Sequence, residues 1–264
     1  MTGIGNMLWR IGDILDFDEQ LAWTRKAGFD GVGFHAAPGT PGQWRGLEPT
    51  ECDSARRAAV REALSSFTFT EIHAPFRIHL TGDSLAAGLE ELAPILQFAA
   101  DLRVSVVTVH ADLTDAEGPA WLPPMSELAA LAEEAQTTIV LEIVDGFEAV
   151  QGWELDRIRV NLDVGHMYDQ QRIQTLGGYG GIGGLIRHLG PTLAHLHLHD
   201  TDGVTDHCEI GTGIVDFAAI ADALSDIDYR RGVTMEMNPT RCSPDGMRRG
   251  MARLRGFFAE AGAS

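Results

Sequence analysis

One feature constrains this chain above all: short apolar runs rich in Val, Ile, Leu and Phe alternate with amphipathic stretches from end to end. The runs are "NMLW" (6–9), "FDGVGFH" (29–35), "FTFTEIH" (67–73), "VSVVTVH" (104–110), "TIVLEIV" (138–144), "RVNLDVGH" (159–166), "LAHLHLH" (193–199) and "GVTMEM" (232–237). Runs of this length and content predict strands. Stretches such as "DEQLAWTRKAGF", "DSARRAAVREALSSF", "LAAGLEELAPILQFAADL", "SELAALAEEA", "VDFAAIADALSDI" and "DGMRRGMARLRGFFAEAG" predict helices between and after them, with a weaker helical signal after the fifth and sixth runs. Eight strand–helix units in 264 residues match a closed (β/α)8 barrel, which takes about 250 residues. No linker or composition shift divides the chain, so residues 1–264 are expected to form one α/β barrel domain. The competing open, doubly wound sheet would place a glycine-rich fingerprint directly after its first strand, and none is there. The run "GGYGGIGG" (177–184) follows no strand and lacks the Lys-Ser/Thr of a phosphate loop, so it reads as a loop or a helix start.

Composition narrows the partners. With 44 % hydrophobic and 22 % charged residues the chain reads as soluble and globular. Neither a leader segment nor an apolar run of about 18 residues is evident, so a cytoplasmic protein without a membrane partner is expected. Three separated cysteines, Cys52, Cys208 and Cys242, indicate neither a disulfide framework nor a CxxC site. A formal charge of −18 disfavours nucleic acid as a partner, because phosphate backbones are repelled.

In a barrel of this kind the chemistry sits at the carboxyl ends of the strands. Those ends carry His35, His73, His110, Glu142, Asp163 with His166, the trio His195, His197 and His199, and Glu236. Strand side chains alternate, so Leu196 and Leu198 can face the helices while the three histidines point to the axis. A single polar residue at a strand end is commonly structural. Two glutamates, an aspartate and several imidazoles at one mouth would repel unless a cation neutralised them. One divalent metal ion is therefore expected; mixed carboxylate and imidazole ligands suit Mn, Mg, Co, Zn or Fe and do not rank them.

The motifs "IHAPF" (72–76), "VTVH" (107–110), "LEI" (141–143), "NLDVGH" (161–166), "HLHD" (197–200), "HCEIGTG" (207–213) and "TMEM" (234–237) resemble the xylose isomerase-like TIM barrel superfamily. That group holds sugar and sugar-phosphate isomerases and epimerases, inosose dehydratases and endonuclease IV. By position, the resemblance implies Glu142, Asp163, His197 and Glu236 as metal ligands. It leaves His195 deeper in the packing and turns His199 toward the rim. It further implies a metal-dependent isomerase or epimerase of a small sugar, sugar phosphate or related hydroxycarbonyl compound. Glu142 and Glu236 would move the proton through a metal-stabilised enediolate, and His73, His110, His166 and His207 would orient substrate oxygens. Arg241, after the last strand, is the candidate for a substrate phosphate. Trp9 and Trp121 are candidates to stack on a sugar face, against the commoner role of packing under loops.

A dehydratase of a keto-cyclitol or dehydroshikimate-like acid would use the same layout. An alternative from another class is an endonuclease IV-like phosphodiesterase. His73, His110, Glu142, Asp163, His166, His197, His207 and Glu236 match its metal ligands, whereas Thr205 replaces an aspartate, with Asp206 shifted by one. The acidic surface argues against that alternative, and the presence of both glutamates argues against a non-catalytic barrel. Pairing with a second copy of the chain is left open.

Overall fold

The computed structural model describes residues 3–113, 121–169 and 172–262. Its strands are β1 (Ile4–Leu8), β2 (Gly31–His35), β3 (Phe69–His73), β4 (His79–Leu80), β5 (Val106–Ala111), β6 (Thr138–Glu142), β7 (Ile158–Asp163), β8 (Leu193–Leu198) and β9 (Val233–Met235). All pair in parallel. Because β3 pairs with both β2 and β5, and β9 with both β8 and β1, the sheet closes on itself into a (β/α)8 barrel. The two-residue β4 lies outside the expected eight and lengthens the rim beside β5.

The helices are α1 (Phe17–Ala27), α2 (Ser54–Leu64), α3 (Leu85–Leu102), α4 (Leu122–Glu134), α5 (Phe147–Trp153), α6 (Ile173–Gly178), α7 (Ile182–Leu189), α8 (Phe217–Asp226) and α9 (Pro244–Ala261). Helix α1 shows how local sequence sets the bounds. The Asp16 carboxylate accepts from the Glu19 amide at 3.0 Å, and Gly28, at φ 91°, ends the helix in the left-handed region that favours glycine. The weak helical signal after the fifth and sixth runs corresponds to short helices. Gly177 and Gly178 close α6, and Gly180 and Gly181, at φ +75° and +95°, turn the chain into α7. Among the described residues no helix is long and apolar enough to cross a membrane.

Two kinds of core follow from the alternation of strand side chains. Val107, Val109, Ile139, Leu141, Leu196 and Leu198 are fully buried in the main apolar cluster, while Val106, Val140 and Ala194 form a separate small one. On β3 the alternate residues Phe69, Glu71 and His73 mark three levels from base to mouth. At the base, a Cβ on Gly5, Gly31 or Gly232 would come within 2.8, 2.2 or 2.3 Å of the Phe69 ring, so these glycines make room for the plug. A concavity of about 620 Å³ opens below it, at the amino end of the strands, and contains none of the carboxylates Glu142, Asp163 and Glu236. The polar residues lie above.

Candidate active site

The strand registers bring the expected side chains level. His35 pairs with His73, His110 with Glu142, and Asp163 with His197. Glu236 stands one residue beyond β9 and is tied by its amide to the Leu198 carbonyl at 3.1 Å. His166 lies past β7, in a 3-10 turn over Gly165–Tyr168, with its amide bonded to Asp163 Oδ1 at 3.1 Å.

At the centre is His197. Its Nδ1 is 2.8 Å from Glu236 Oε2 and 3.1 Å from Glu142 Oε2, yet it has no aligned hydrogen-bond partner. Its Nε2 lies 2.6 Å from Glu71 Oε1 and donates there. His73 repeats the pattern: Nδ1–H donates to the Ala74 carbonyl at 2.7 Å, and Nε2, 3.4 Å from Glu142, is left unpartnered. Asp163 Oδ2 is likewise buried without a partner. Buried polar atoms without aligned partners are rare, and the buried carboxylates Glu142 and Asp163 repel one another across the same space. A divalent cation shared by these atoms satisfies both conditions, so the residues present fit one. Glu142, Asp163 and His197 have ligand atoms within 4.8 Å of one another, as do His73, His197 and Glu236.

Charge follows the same logic. Burial acts to raise the pKa of Glu142, but His197, His110 and His73 outweigh it and hold the carboxyl well below its usual range. Burial and His197 act in the same opposed way on Glu236, which is lowered to about 2. Both are carboxylates at neutral pH. Asn161 Nδ2 steadies Glu142 Oε2 at 3.1 Å, and His110 Nε2 stands 3.3 Å from Oε1.

Glu71 was not singled out by the sequence reading, because "TEIH" places it mid-strand with no recognisable motif. It is fully buried and accepts four bonds: Thr108 Oγ1 at 2.6 Å and His197 at 2.6 Å on Oε1, and His195 at 2.9 Å and Thr234 Oγ1 at 2.6 Å on Oε2. Its partner positions, all inward on their strands, were the only available signal. His195 lies at this deeper level, as expected.

His199 departs from expectation. It is fully buried rather than turned toward the rim: its Nε2–H donates to Asp163 Oδ1 at 2.9 Å and its Nδ1 accepts the His207 amide at 2.8 Å. Gly165 makes this possible, since a Cβ there would come within 2.0 Å of the His199 ring. The His207 ring stacks on His199 at 4.0 Å and bonds the Glu236 carbonyl at 2.7 Å through Nδ1. Asp163, His166, His199 and His207 thus form a second donor set. Asp200, which ends "HLHD", organises the following loop instead. Its carboxylate accepts amides of Thr201, Gly211, Thr212, Gly213 and Val215.

Arg241 is beside this loop but already engaged, with Nη1 donating to the Asp206 carbonyl and carboxylate at 2.6 and 2.5 Å. Trp121 is buried at the start of α4 and stacks on Trp153 at 6.1 Å, a packing role. Trp9 is at the mouth, 5.4 Å from His35 and 5.5 Å from His207. Cys208 and Cys242 are free thiols, with Cys242 pushed up to about 12 by burial.

Known proteins share this arrangement of the chain. An L-ribulose 3-epimerase of Mesorhizobium japonicum is 26 % identical over an aligned length of 289 residues, covering 98 % of this chain and 88 % of that one. The crystal structure of a D-psicose 3-epimerase from Clostridium cellulolyticum H10, solved with D-tagatose, superposes with a TM-score of 0.72 at 16 % identity, covering 99 % of each chain. The structure of an L-ribulose 3-epimerase gives 0.68 at 23 % identity, covering all of this chain and 95 % of that one. The family model described as "Xylose isomerase-like TIM barrel" matches residues 21–257. This chain belongs to the xylose isomerase-like TIM barrel family.

Proposed function

We propose that the protein is a divalent-cation-dependent epimerase or isomerase of a small sugar-like hydroxycarbonyl compound and, more narrowly, that it inverts the carbon beside the carbonyl of a ketose. The observation that carries the reading is the pair of buried carboxylates, Glu142 and Glu236, which both approach His197 Nδ1, at 3.1 and 2.8 Å, without an aligned hydrogen bond there. The likeness to an L-ribulose 3-epimerase along nearly the whole chain supports it.

Glu142, Asp163, His197 and Glu236 would hold the cation. When bound, it supplies positive charge that polarises the substrate carbonyl and stabilises negative charge developing on oxygen. The chain's own residues do the rest. One glutamate takes the proton from the carbon beside the carbonyl, and the other, once it has gained a proton by exchange with solvent, returns one to the opposite face; ionisation at neutral pH fits either for the first role. Asn161 and His110 fix the direction of Glu142. Glu71 fixes the proton of His197 on Nε2 and leaves Nδ1 free to bind. His73, His166 and His207 stand where substrate oxygens would be oriented. Arg241, held by Asp206, fits an unphosphorylated substrate better than a phosphate.

A dehydratase would share the first proton removal and differ only in losing a hydroxyl afterwards. A nuclease reading has one observation in its favour: donor sets His73–His110–Glu142 and Asp163–His166–His199–His207 flank the central ligands. The −18 charge weighs against it, as does the engagement of Asp206 by Arg241. The test is to incubate metal-stripped protein, with and without Mn²⁺ or Co²⁺, with L-ribulose, D-psicose and D-tagatose, and with abasic-site DNA. Cation-dependent formation of the C3 epimer is expected. A 3,4-unsaturated ketone left by loss of the C4 hydroxyl, or cut DNA with the ketoses untouched, would replace this reading.

A further inference from the structure

The proposed cation ligands come from four consecutive strands, β6, β7, β8 and β9, which make half of the barrel mouth. The other half, formed by β1, β2, β3 and β5, carries rings: Trp9, His35, His73 with Phe76, and His110. In strand order β2 stands directly across from β7, so His35 is opposite Asp163. A ketose held at its carbonyl by the first half must lay the rest of its carbon chain against the second.

His35 is the unexplained group in that half. It is 1 % exposed, and neither ring nitrogen has a hydrogen-bond partner. Around it stand His73 at 4.8 Å, Phe76 at 5.1 Å, Trp44 at 5.3 Å and Trp9 at 5.4 Å between ring centroids. The box is built by backbone. Thr40 and Trp44 exchange amide–carbonyl bonds of 3.0 and 3.1 Å, the Arg45 amide bonds the Trp9 carbonyl at 3.0 Å, and the Leu47 amide bonds the His35 carbonyl at 2.9 Å. A Cβ on Gly46 would come within 2.3 Å of the His35 carbonyl oxygen, so the loop is pressed onto this strand end. Phe76 differs from the other rings in being 48 % exposed, so it is the wall of the box through which a ligand would have to reach the imidazole.

We propose that His35 is a substrate-recognition residue whose imidazole binds one hydroxyl on the part of the substrate remote from the carbonyl. This rests on the ketose reading above. A neutral imidazole offers one donor and one acceptor, which is the complement of a hydroxyl and not of a phosphate or carboxylate. Burial, with His73 beside it, lowers the His35 pKa to about 3 and keeps the ring neutral. The surrounding aromatic faces suit the C–H face of a sugar carbon chain. An orphaned imidazole is costly in the free protein, and a substrate hydroxyl removes that cost on binding.

The test uses His35→Phe and His35→Leu, with wild type as reference, on the full-length metal-loaded protein. Turnover is measured on a ketohexose and on its 4-, 5- and 6-deoxy counterparts; Mn²⁺ affinity and thermal unfolding are measured alongside. The expected result is a loss of roughly tenfold in kcat/KM on the parent ketose, carried mainly by KM, and no further loss on the one deoxy sugar that lacks the bonded hydroxyl. Mn²⁺ affinity is unchanged, and the free variants unfold at or above the wild-type temperature, because two unpaired polar atoms have been removed. Equal losses on every sugar, undiminished activity on all of them, or a clearly lower unfolding temperature in both variants would overturn the assignment. If wild type turns over no ketose, the reading of the site fails and His35 is judged by binding alone. Saturable quenching of Trp9 and Trp44 fluorescence by ribitol, lost in both variants, would keep His35 as a hydroxyl-binding residue, and its absence in wild type would remove it.

Discussion

Replacing Glu71 by Gln changes one atom in a fully buried cluster, and the consequence can be worked through bond by bond. All four groups around the carboxylate donate to it. An amide keeps one acceptor oxygen and turns the other into a donor, so two of the four bonds meet a donor facing a donor. If the amide nitrogen faces Thr108 and His197, the His197 proton must move from Nε2 to Nδ1, the atom that faces Glu142 and Glu236. The proposed cation ligand is then blocked. If it faces His195 and Thr234, the His195 tautomer and the threonine hydroxyl can adapt, and His197 loses only the carboxylate's charge. Second-sphere changes of this kind weaken metal binding by about 10–100-fold, or roughly 1.4–2.7 kcal/mol. Calorimetric titration of metal-stripped wild type and Glu71→Gln with Mn²⁺ reads this directly, and circular dichroism checks that the variant is folded. Unchanged Mn²⁺ affinity in a folded variant would refute the argument that Glu71 sets the His197 tautomer.

Other expectations follow from the same geometry. Glu236→Gln should abolish turnover and lower Mn²⁺ affinity, measured by an epimerisation assay and titration; near-normal activity with full metal occupancy would remove its role. His195→Ala takes one donor from Glu71 and leaves the ligand atoms in place, so thermal unfolding should drop while Mn²⁺ affinity falls little; selective metal loss in a stable variant would contradict this. His35 faces His73, His197, Glu71 and Glu236, and its pKa is depressed from 6.5 to about 3. Between those values the unfolded chain binds the proton that the folded one refuses. The protein should therefore lose stability as pH falls from 6.5 toward 3, by up to about 1.4 kcal/mol per pH unit from this site. Urea unfolding of metal-stripped protein across that range should show a shallower acid slope in His35→Phe, and an identical slope would contradict the buried neutral ring.

How much of this was legible beforehand depends on what kind of signal each residue carries. The barrel was legible because strands buried on both faces must be apolar throughout, and eight such runs leave few closed solutions. The mouth residues were legible because they end those runs. Strand ends were placed less well: the last run reads through Met237, but β9 stops at Met235 and Glu236 lies past it. Glu71 left no trace because a mid-strand glutamate looks like a solvent-facing residue until its neighbours on three other strands are known. His199 was misplaced for a similar reason. Its burial depends on Gly165, 34 positions earlier, leaving space for a ring. Arg241 shows the reverse limit, since a cation near a site in sequence is captured by Asp206 in space.

The central claim is that Glu142 and Glu236 exchange a proton at the carbon beside a carbonyl, and only with a cation present. Proton NMR of D-psicose or L-ribulose in D₂O, with metal-stripped protein and then with Mn²⁺, Co²⁺ or Mg²⁺ restored, tests it most directly. The account predicts deuterium at C3 of the epimerised sugar with cation restored, and none in stripped protein or in Glu236→Gln. Epimerisation without solvent deuterium at C3, or equal exchange in the stripped protein, would contradict it.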